Sequence, residues 1–313
     1  MEGLWHSRNV AILIIPGFFF LFGTIIGSFL NVCISRIPEG LSIVAPGSRC
    51  PRCLTPIKPY DNVPVLAWLW LRGKCRTCAL PISPMYPLIE LGTGLLFVAV
   101  YERFGISQAS VKWLFFVCLI IVLTITDLRA RMLPDVVNWP GFAVGLMFSA
   151  FVPPDDGIGY LLSQRVFHRM LPEPVLGVLD GLLGAAFGSL LLLAVSWLYR
   201  VTRGREGLGM GDVKMMAMVG AFLGLRGTFF TILIGTLLGS VVGLTIVVGI
   251  FVARWKANVA ERASRRGLGS ARGLRWAIAS RYQLPLGTFL GIASILVLFY
   301  LSSGLINLAP QVR

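Results

Sequence analysis

The chain has 313 residues, of which 56% are hydrophobic and only 13% charged, and its mean hydropathy is +0.80. A soluble domain of this length does not carry so much apolar surface, so composition excludes a water-soluble protein and points to an all-α polytopic membrane protein. The net charge of +14 does not point to nucleic acid, because no basic stretch is interleaved with aromatics in a soluble domain; it suits cytoplasmic loops held against anionic membrane lipid.

Apolar runs of spanning length predict about eight transmembrane helices, near residues 10–33, 85–102, 110–126, 136–152, 175–199, 213–225, 228–252 and 284–308. Only Glu2 and Arg8 carry charge before the first run, which continues past Gly17 to Leu30, so it reads as a retained span and not as a cleaved signal. The sixth run is short for a straight span and suits a tilted or partly re-entrant helix buried by protein. Segments 34–84, 127–135, 200–214 and 253–283 together carry 21 of the 28 Lys and Arg residues. The positive-inside rule therefore places these four in the cytoplasm and both termini outside. Small residues one turn apart, at Gly23/Gly27, Gly184/Gly188, Gly220/Gly224, Gly235/Gly239/Gly243 and Gly287/Gly291, predict close helix contacts.

The chain divides into a first span (1–33), a four-cysteine cytoplasmic insertion (34–84) and a membrane bundle (85–313) with a basic loop at 253–283. That loop, from Trp255 to Tyr282, reads equally as an interfacial amphipathic helix or as an irregular lipid-attracted segment. In the outer loop 153–174, Asp155 and Asp156 follow two prolines and read first as a turn, although adjacent carboxylates suit a divalent cation. His6 and His168 are isolated and suggest no histidine-based site.

Cys50-Pro-Arg-Cys53 and Cys75-Arg-Thr-Cys78 are separated by 21 residues. Each CxxC pair presents two thiolates to one metal ion, and two pairs complete a tetrahedron. In the cytoplasm thiols stay reduced, so structural Zn²⁺ is favoured over two disulfides. Four sulfur ligands leave no open position for water, so such a site holds a fold and does not hydrolyse. Cys33 and Cys118, within apolar runs, read as small buried hydrophobes.

Of the 14 acids, Glu2, Glu39, Glu102, Glu173, Glu206 and Glu261 read as ordinary loop or terminal charges. Asp180 lies inside the fifth span and reads as a hydrogen-bonded group between helices. Glu90, near the cytoplasmic end of the second span, reads equally as a functional acid and as a packing partner of a loop Arg or Lys. Asp135 follows Leu-Pro and precedes an apolar run, where an N-cap belongs. Asp127 closes the third span and Asp212 opens the sixth, within Gly207-Leu-Gly-Met-Gly-Asp-Val-Lys214. On its own stretch Asp212 reads equally as a helix cap and as a catalytic carboxylate. If the two face each other, they cannot both ionise cheaply and share a proton. The ionised member then activates water while the protonated one donates to a substrate carbonyl.

Several stretches together resemble the type IV prepilin leader peptidases, bifunctional membrane aspartic peptidases and N-methyltransferases of pilus and type II secretion systems. They are Gly27-Ser-Phe-Leu-Asn-Val-Cys-Ile-Ser-Arg-Ile-Pro38, the two CxxC pairs, Tyr60 to Leu69, Tyr86-Pro-Leu-Ile-Glu-Leu91, Thr126-Asp-Leu-Arg-Ala-Arg-Met-Leu-Pro-Asp135 and Gly209-Met-Gly-Asp-Val-Lys214. Leu284-Pro-Leu-Gly-Thr-Phe-Leu290 looks like the family's closing Pro-Phe-Gly-Pro segment with two substitutions. The resemblance implies a bacterial inner-membrane location with periplasmic termini and a catalytic dyad of Asp127 and Asp212, the latter in the GxGD motif. It implies prepilin or pseudopilin substrates cut after Gly at the cytoplasmic membrane face, then N-methylation of the new terminus from S-adenosylmethionine. No glycine-rich Rossmann-type fingerprint marks the methyl-donor site.

Overall fold

The computed structural model describes residues 2–154, 158–167, 171–204, 207–264 and 285–302. Asp155, Asp156, His168, Glu206 and the 265–283 part of the basic loop therefore lie outside the described residues, as does the side chain of His6. Among the described residues every regular element is helical, and the β contacts are two isolated bridges. In chain order they are α1 (Glu2–Arg36), a 3-10 turn (Pro59–Asn62), α2 (Leu66–Trp70), α3 (Met85–Phe104), α4 (Gln108–Ala130) and α5 (Asp135–Phe151). There follow α6 (Ile158–Leu162), which runs into a π-helical turn at Ser163–Phe167, then α7 (Glu173–Arg203), α8 (Met210–Ser264) and α9 (Leu286–Ser302).

Five stretches are long and apolar enough to cross a membrane: Ile14–Arg36, Met85–Phe104, Gln108–Ala130, Glu173–Arg203 and Met210–Ile246. The eight expected spans are not all of that length. Residues 136–152 form the 17-residue α5, and the last span is described as the 17-residue α9. The expected sixth and seventh spans lie in α8, broken at Gly224, whose φ of 72° and ψ of −171° are not helical. A Cβ at Gly188 would stand 3.0 Å from Met216 O and 2.7 Å from Thr228 Cγ2. Twelve residues of straight helix would hold those two groups about 18 Å apart. The chain therefore folds back at Gly224, and α8 is a helical hairpin with a short arm at 210–223. Only a residue free of Cβ strain adopts this turn readily.

Glycines set the closest approaches. A Cβ on Gly23 would come within 2.8 Å of Gly94 Cα, and one on Gly27 within 2.8 Å of Glu90 Cα, which brings α1 against α3. Gly184 of α7 lies directly on the Gly220 and Gly224 backbones of α8. Most of the expected small-residue pairs thus are helix contacts. Gly287 meets two carboxylates and is treated below.

Local signals shape the turns between helices. Gly105 ends α3 at a φ of 62°, and Ser107 opens α4 by accepting the Ser110 N–H. Between the helices Phe97, Phe116, Ile120, Met215, Met216, Met218, Phe222 and Leu290 are fully buried or nearly so. Asp180 is buried and accepts the Gly159 N–H, a bond from α7 to α6, as its position inside a span required. Lys112, also buried, donates to the Val152 carbonyl at the C-terminal end of α5 at 2.8 Å, where a cation complements the helix end.

Candidate active site

Asp127 stands in the last turn of α4 and Asp212 in the first turn of α8. Arg131, in the left-handed conformation, ends α4 by returning its N–H to Asp127 O at 2.8 Å. The connection then runs through Leu133 and Pro134 into α5, with the buried Asn138 side chain reaching back to Leu133 O at 3.5 Å. On the other side the backbone N–H of Asp212 donates to Gly209 O at 3.2 Å, closing the glycine turn onto α8. A cavity of about 460 Å³ lies between these segments and is lined by Asp127, Arg131, Leu133, Gly209, Gly211, Asp212 and Lys214 among others.

The start of α9 brings the two carboxylates to one point. A Cβ added to Gly287 would stand 3.0 Å from Asp127 Oδ2 and 3.0 Å from Asp212 Oδ1. Two atoms equally far from one point are at most twice that distance apart, so residues 85 positions distant in sequence converge on one glycine. Gly287 therefore lets α9 come close to α4 and α8 at the point where their two carboxylates meet. The neighbouring Thr288 donates its N–H to Asp127 Oδ2 at 2.6 Å and its hydroxyl to the same oxygen at 3.0 Å.

Asp135 is not the N-cap of α5. Pro134 holds that position, and Asp135 is the first helical residue, with its carboxylate on Lys214 Nζ at 2.7 and 2.8 Å. Its Lys214 partner comes from the first turns of α8, so the pair ties the two walls of the cavity together. Glu90 is buried and accepts the Val65 N–H at 2.7 Å, so it packs on a backbone group and not, as one of its two readings had it, on a loop Arg or Lys. That bond holds Val65 at a φ of 61°, a conformation unusual for a β-branched residue.

The four cysteines form a second site. All six cysteines of the chain are free thiols, so the disulfide alternative does not hold. The Sγ atoms of Cys50, Cys53, Cys75 and Cys78 all lie within 4.8 Å of one another, with Cys50–Cys78 at 3.9 Å and Cys53–Cys75 at 4.0 Å. A zinc–sulfur bond of about 2.3 Å gives tetrahedral edges of ~3.8 Å, so the tetrad matches the metal in donor type, number and spacing. Each CxxC occupies the same turn. Cys50 N–H bonds Thr55 O and Leu54 N–H bonds Cys50 O; Cys75 N–H bonds Leu80 O and Ala79 N–H bonds Cys75 O. Leu54 and Ala79 take the left-handed position in each, and a bridge closes each turn, Arg49 with Pro56 and Lys74 with Pro81. The repeat basic-Cys-x-x-Cys-x-x-Pro was present in the sequence as a signal for two equivalent knuckles.

Without a metal, Cys53, Cys75 and Cys78 are unequal. Hydrogen bonds from the Thr55 side chain and backbone draw Cys53 down to about 6, and the backbone of Cys78 and Thr77 draws Cys75 down. Cys78 stands at about 11: a backbone bond from Leu80 favours its thiolate, but burial and the bonds to Cys75 and Cys53 outweigh it. A bound divalent cation removes this conflict by holding all four as thiolates. Beside the tetrad Arg76 makes a two-pronged pair with Asp61 at 2.6 and 2.7 Å, which holds the Asp61 carboxyl below its ordinary value.

The sequence is matched by two family models, the bacterial peptidase A24 N-terminal domain over residues 21–104 and the type IV leader peptidase family over residues 114–244. Among similar proteins, one of *Myxococcus xanthus* (strain DK1622) named prepilin leader peptidase/N-methyltransferase is 39% identical over 230 residues, 74% of this chain and 62% of that protein.

 Another, of Aeromonas hydrophila and with the same name, is 34% identical over 252 residues, 73% of this chain and 80% of that protein. A third, of Klebsiella pneumoniae, again with that name, is 35% identical over 225 residues, 70% of this chain and 90% of that protein. The chain thus spans less than two thirds of the Myxococcus relative and most of the other two. No solved structure gives a significant match. By the two family models and by relatives aligned over most of their length, the chain belongs to the type IV leader peptidase family.

Proposed function

We propose that this protein is a prepilin peptidase and N-methyltransferase whose peptidase centre is the pair Asp127 and Asp212. The observation that supports it best is the convergence of the two carboxylates on Gly287, beside a cavity of about 460 Å³ that both of them line. One carboxylate, ionised, takes a proton from water as the water attacks the scissile carbonyl. The other, protonated, donates to the carbonyl oxygen, and the proton then passes to the leaving amine. No covalent intermediate forms. Gly209 keeps the wall beside Asp212 low, so a peptide backbone reaches it, and Gly211 lets that wall pack closely on Leu133. The Asp135–Lys214 pair holds that wall against the start of α5.

In this reading eight segments are embedded in the bacterial inner membrane, the short arm 210–223 lying partly re-entrant, and both termini are periplasmic. The division into a first span, a cysteine lobe and a peptidase bundle then follows the chain. Alternating helix direction puts the end of α1, the start of α3, the end of α4 and the start of α8 on one side. The cysteine lobe and the dyad thus share the cytoplasmic face. The substrate is a prepilin or pseudopilin with a short basic leader in the cytoplasm and an apolar helix in the membrane, cut after Gly at the boundary. Cys50, Cys53, Cys75 and Cys78 hold a structural zinc ion. S-adenosylmethionine supplies a methyl group to the amine that cleavage exposes.

The test is mass spectrometry of a prepilin incubated with the purified protein, with and without S-adenosylmethionine. Loss of the leader in both reactions, and a further methyl mass only with the donor, are expected. Asp127→Ala and Asp212→Ala should each abolish the cut while the protein stays folded. Near-parental cleavage by either variant sinks the dyad.

A further inference from the structure

The two aspartates are not held alike. Thr288 is the third residue of α9, and the first N–H groups of a helix have no partner within it. Asp127 Oδ2 takes both donors of Thr288, the N–H at 2.6 Å and the hydroxyl at 3.0 Å, from a residue 161 positions away. The hydroxyl lies farther, 3.3 Å, from the Thr124 carbonyl, so its single proton is better placed on Asp127. Both Thr288 and Asp127 are buried, at 6% exposure each. Asp212 instead sits in the glycine turn, its carboxyl facing the Gly209 backbone. Two hydrogen bonds donated to one carboxyl oxygen favour the ionised form of that group, so Thr288 makes Asp127 the better-held carboxylate of the pair.

We propose that Thr288 is a positioning residue that makes the dyad asymmetric: it pins Asp127 as the carboxylate that activates water and leaves Asp212 to deliver the proton to the substrate carbonyl. The inference rests on the dyad reading above. Gly287 and Thr288 act as a unit. The glycine leaves space where both carboxylates meet, and the threonine orients one of them. The bland alternative is that Asp127 merely caps α9 from outside. The two differ in what the hydroxyl does, since Thr288→Val keeps the capping N–H and the approximate shape and removes only the hydroxyl.

The experiment is steady-state cleavage of a prepilin by the full-length protein carrying Thr288→Val, Thr288→Ser or Asp127→Asn, with folding checked by thermal unfolding in detergent. A hydrogen bond to a charged group corresponds to a rate loss of about ten- to a hundred-fold. We expect Thr288→Val to lose kcat by about that factor with KM nearly unchanged, and Thr288→Ser to restore kcat to within about three-fold of the parent. Where valine is not tolerated, Thr288→Ala makes the same comparison. Parental kcat in Thr288→Val, an equal loss in Thr288→Ser, or a change confined to KM overturns the proposal. If Asp127→Asn is inactive while Thr288→Val cleaves at the parental rate, the dyad stands and the role of Thr288 falls. If Asp127→Asn cleaves normally, both fall together.

Discussion

Between Pro38 and Pro84 two residues are buried, Cys50 and Gly73, whereas α4 and the short arm of α8 between them bury Phe116, Ile120, Leu123, Met215, Met216, Met218 and Phe222. The cysteine lobe has exposed Val44, Leu66 and Trp70 where the bundle has a core. A segment of this size with so little burial does not hold itself by hydrophobic packing, and a metal or another clamp must supply the difference. Its clamps here are the four convergent thiols, the Asp61–Arg76 pair and the bond from Glu90 to the Val65 backbone. The bundle needs no such clamp, but it depends on glycines that no larger residue replaces. One region is therefore sensitive to chemistry and the other to volume.

The largest break in this comparison should come from emptying the proposed metal site. Chelation of the purified protein, or Cys50→Ser with Cys75→Ser, should unfold the lobe and leave the bundle helical. Protease mapping would show cuts within 41–83, and helical circular dichroism would change little. We expect cleavage of a prepilin to persist and methylation to be lost. Loss of bundle helicity on chelation would show that the two regions fold as one.

The converse break is Gly184→Val. Its side chain would overlap the Gly220 and Gly224 backbones, which cannot move as a flexible side chain can. A cost of about 3 kcal/mol is expected, seen as a lower unfolding temperature in detergent, with the metal content of the lobe unchanged. Glu90→Ala tests the joint between the regions. It leaves the Val65 N–H without its acceptor, at a cost of about 1–3 kcal/mol. The lobe should become more susceptible to protease while peptide cleavage holds, and Glu90→Gln, which keeps an acceptor oxygen, should stay close to the parent.

The smallest effect is one of pH on metal uptake. Cys53, at about 6, is already thiolate at neutral pH, whereas Cys78, at about 11, is still protonated in the metal-free lobe. Metal binding must expel that proton, so apparent affinity should rise with pH between about 6.5 and 8.5. Competition with a metal-sensitive dye at several pH values would measure it, and a flat profile would count against the thiol assignment.

Much of this was legible in the chain. Mean hydropathy declared a helical membrane protein, and two CxxC pairs declared a candidate metal site, because each signal is local and repeated. Asp127 and Asp212 were found because acids are few and both border apolar runs. The reading failed where the partner lay elsewhere in the chain. Asp135 has the local context of an N-cap, but Lys214 lies 79 positions away and takes its carboxylate. Gly287 fits a helix-packing pattern, yet only the folded bundle shows that it faces two carboxylates. The separate apolar runs at 213–225 and 228–252 did predict a break in α8, and the structure places it at Gly224.

The sequence by itself determined the solvent this protein lives in, the four cysteines of its candidate metal site and the identity of its candidate catalytic acids. Those depend on residue type and short spacing, which folding does not alter. Tertiary structure alone decided that the acids meet, that α9 supplies Thr288 to one of them, and that a buried glutamate ties the lobe to the bundle. Each is a contact between distant segments, and such contacts arise only when helices pack closely enough for glycine to matter.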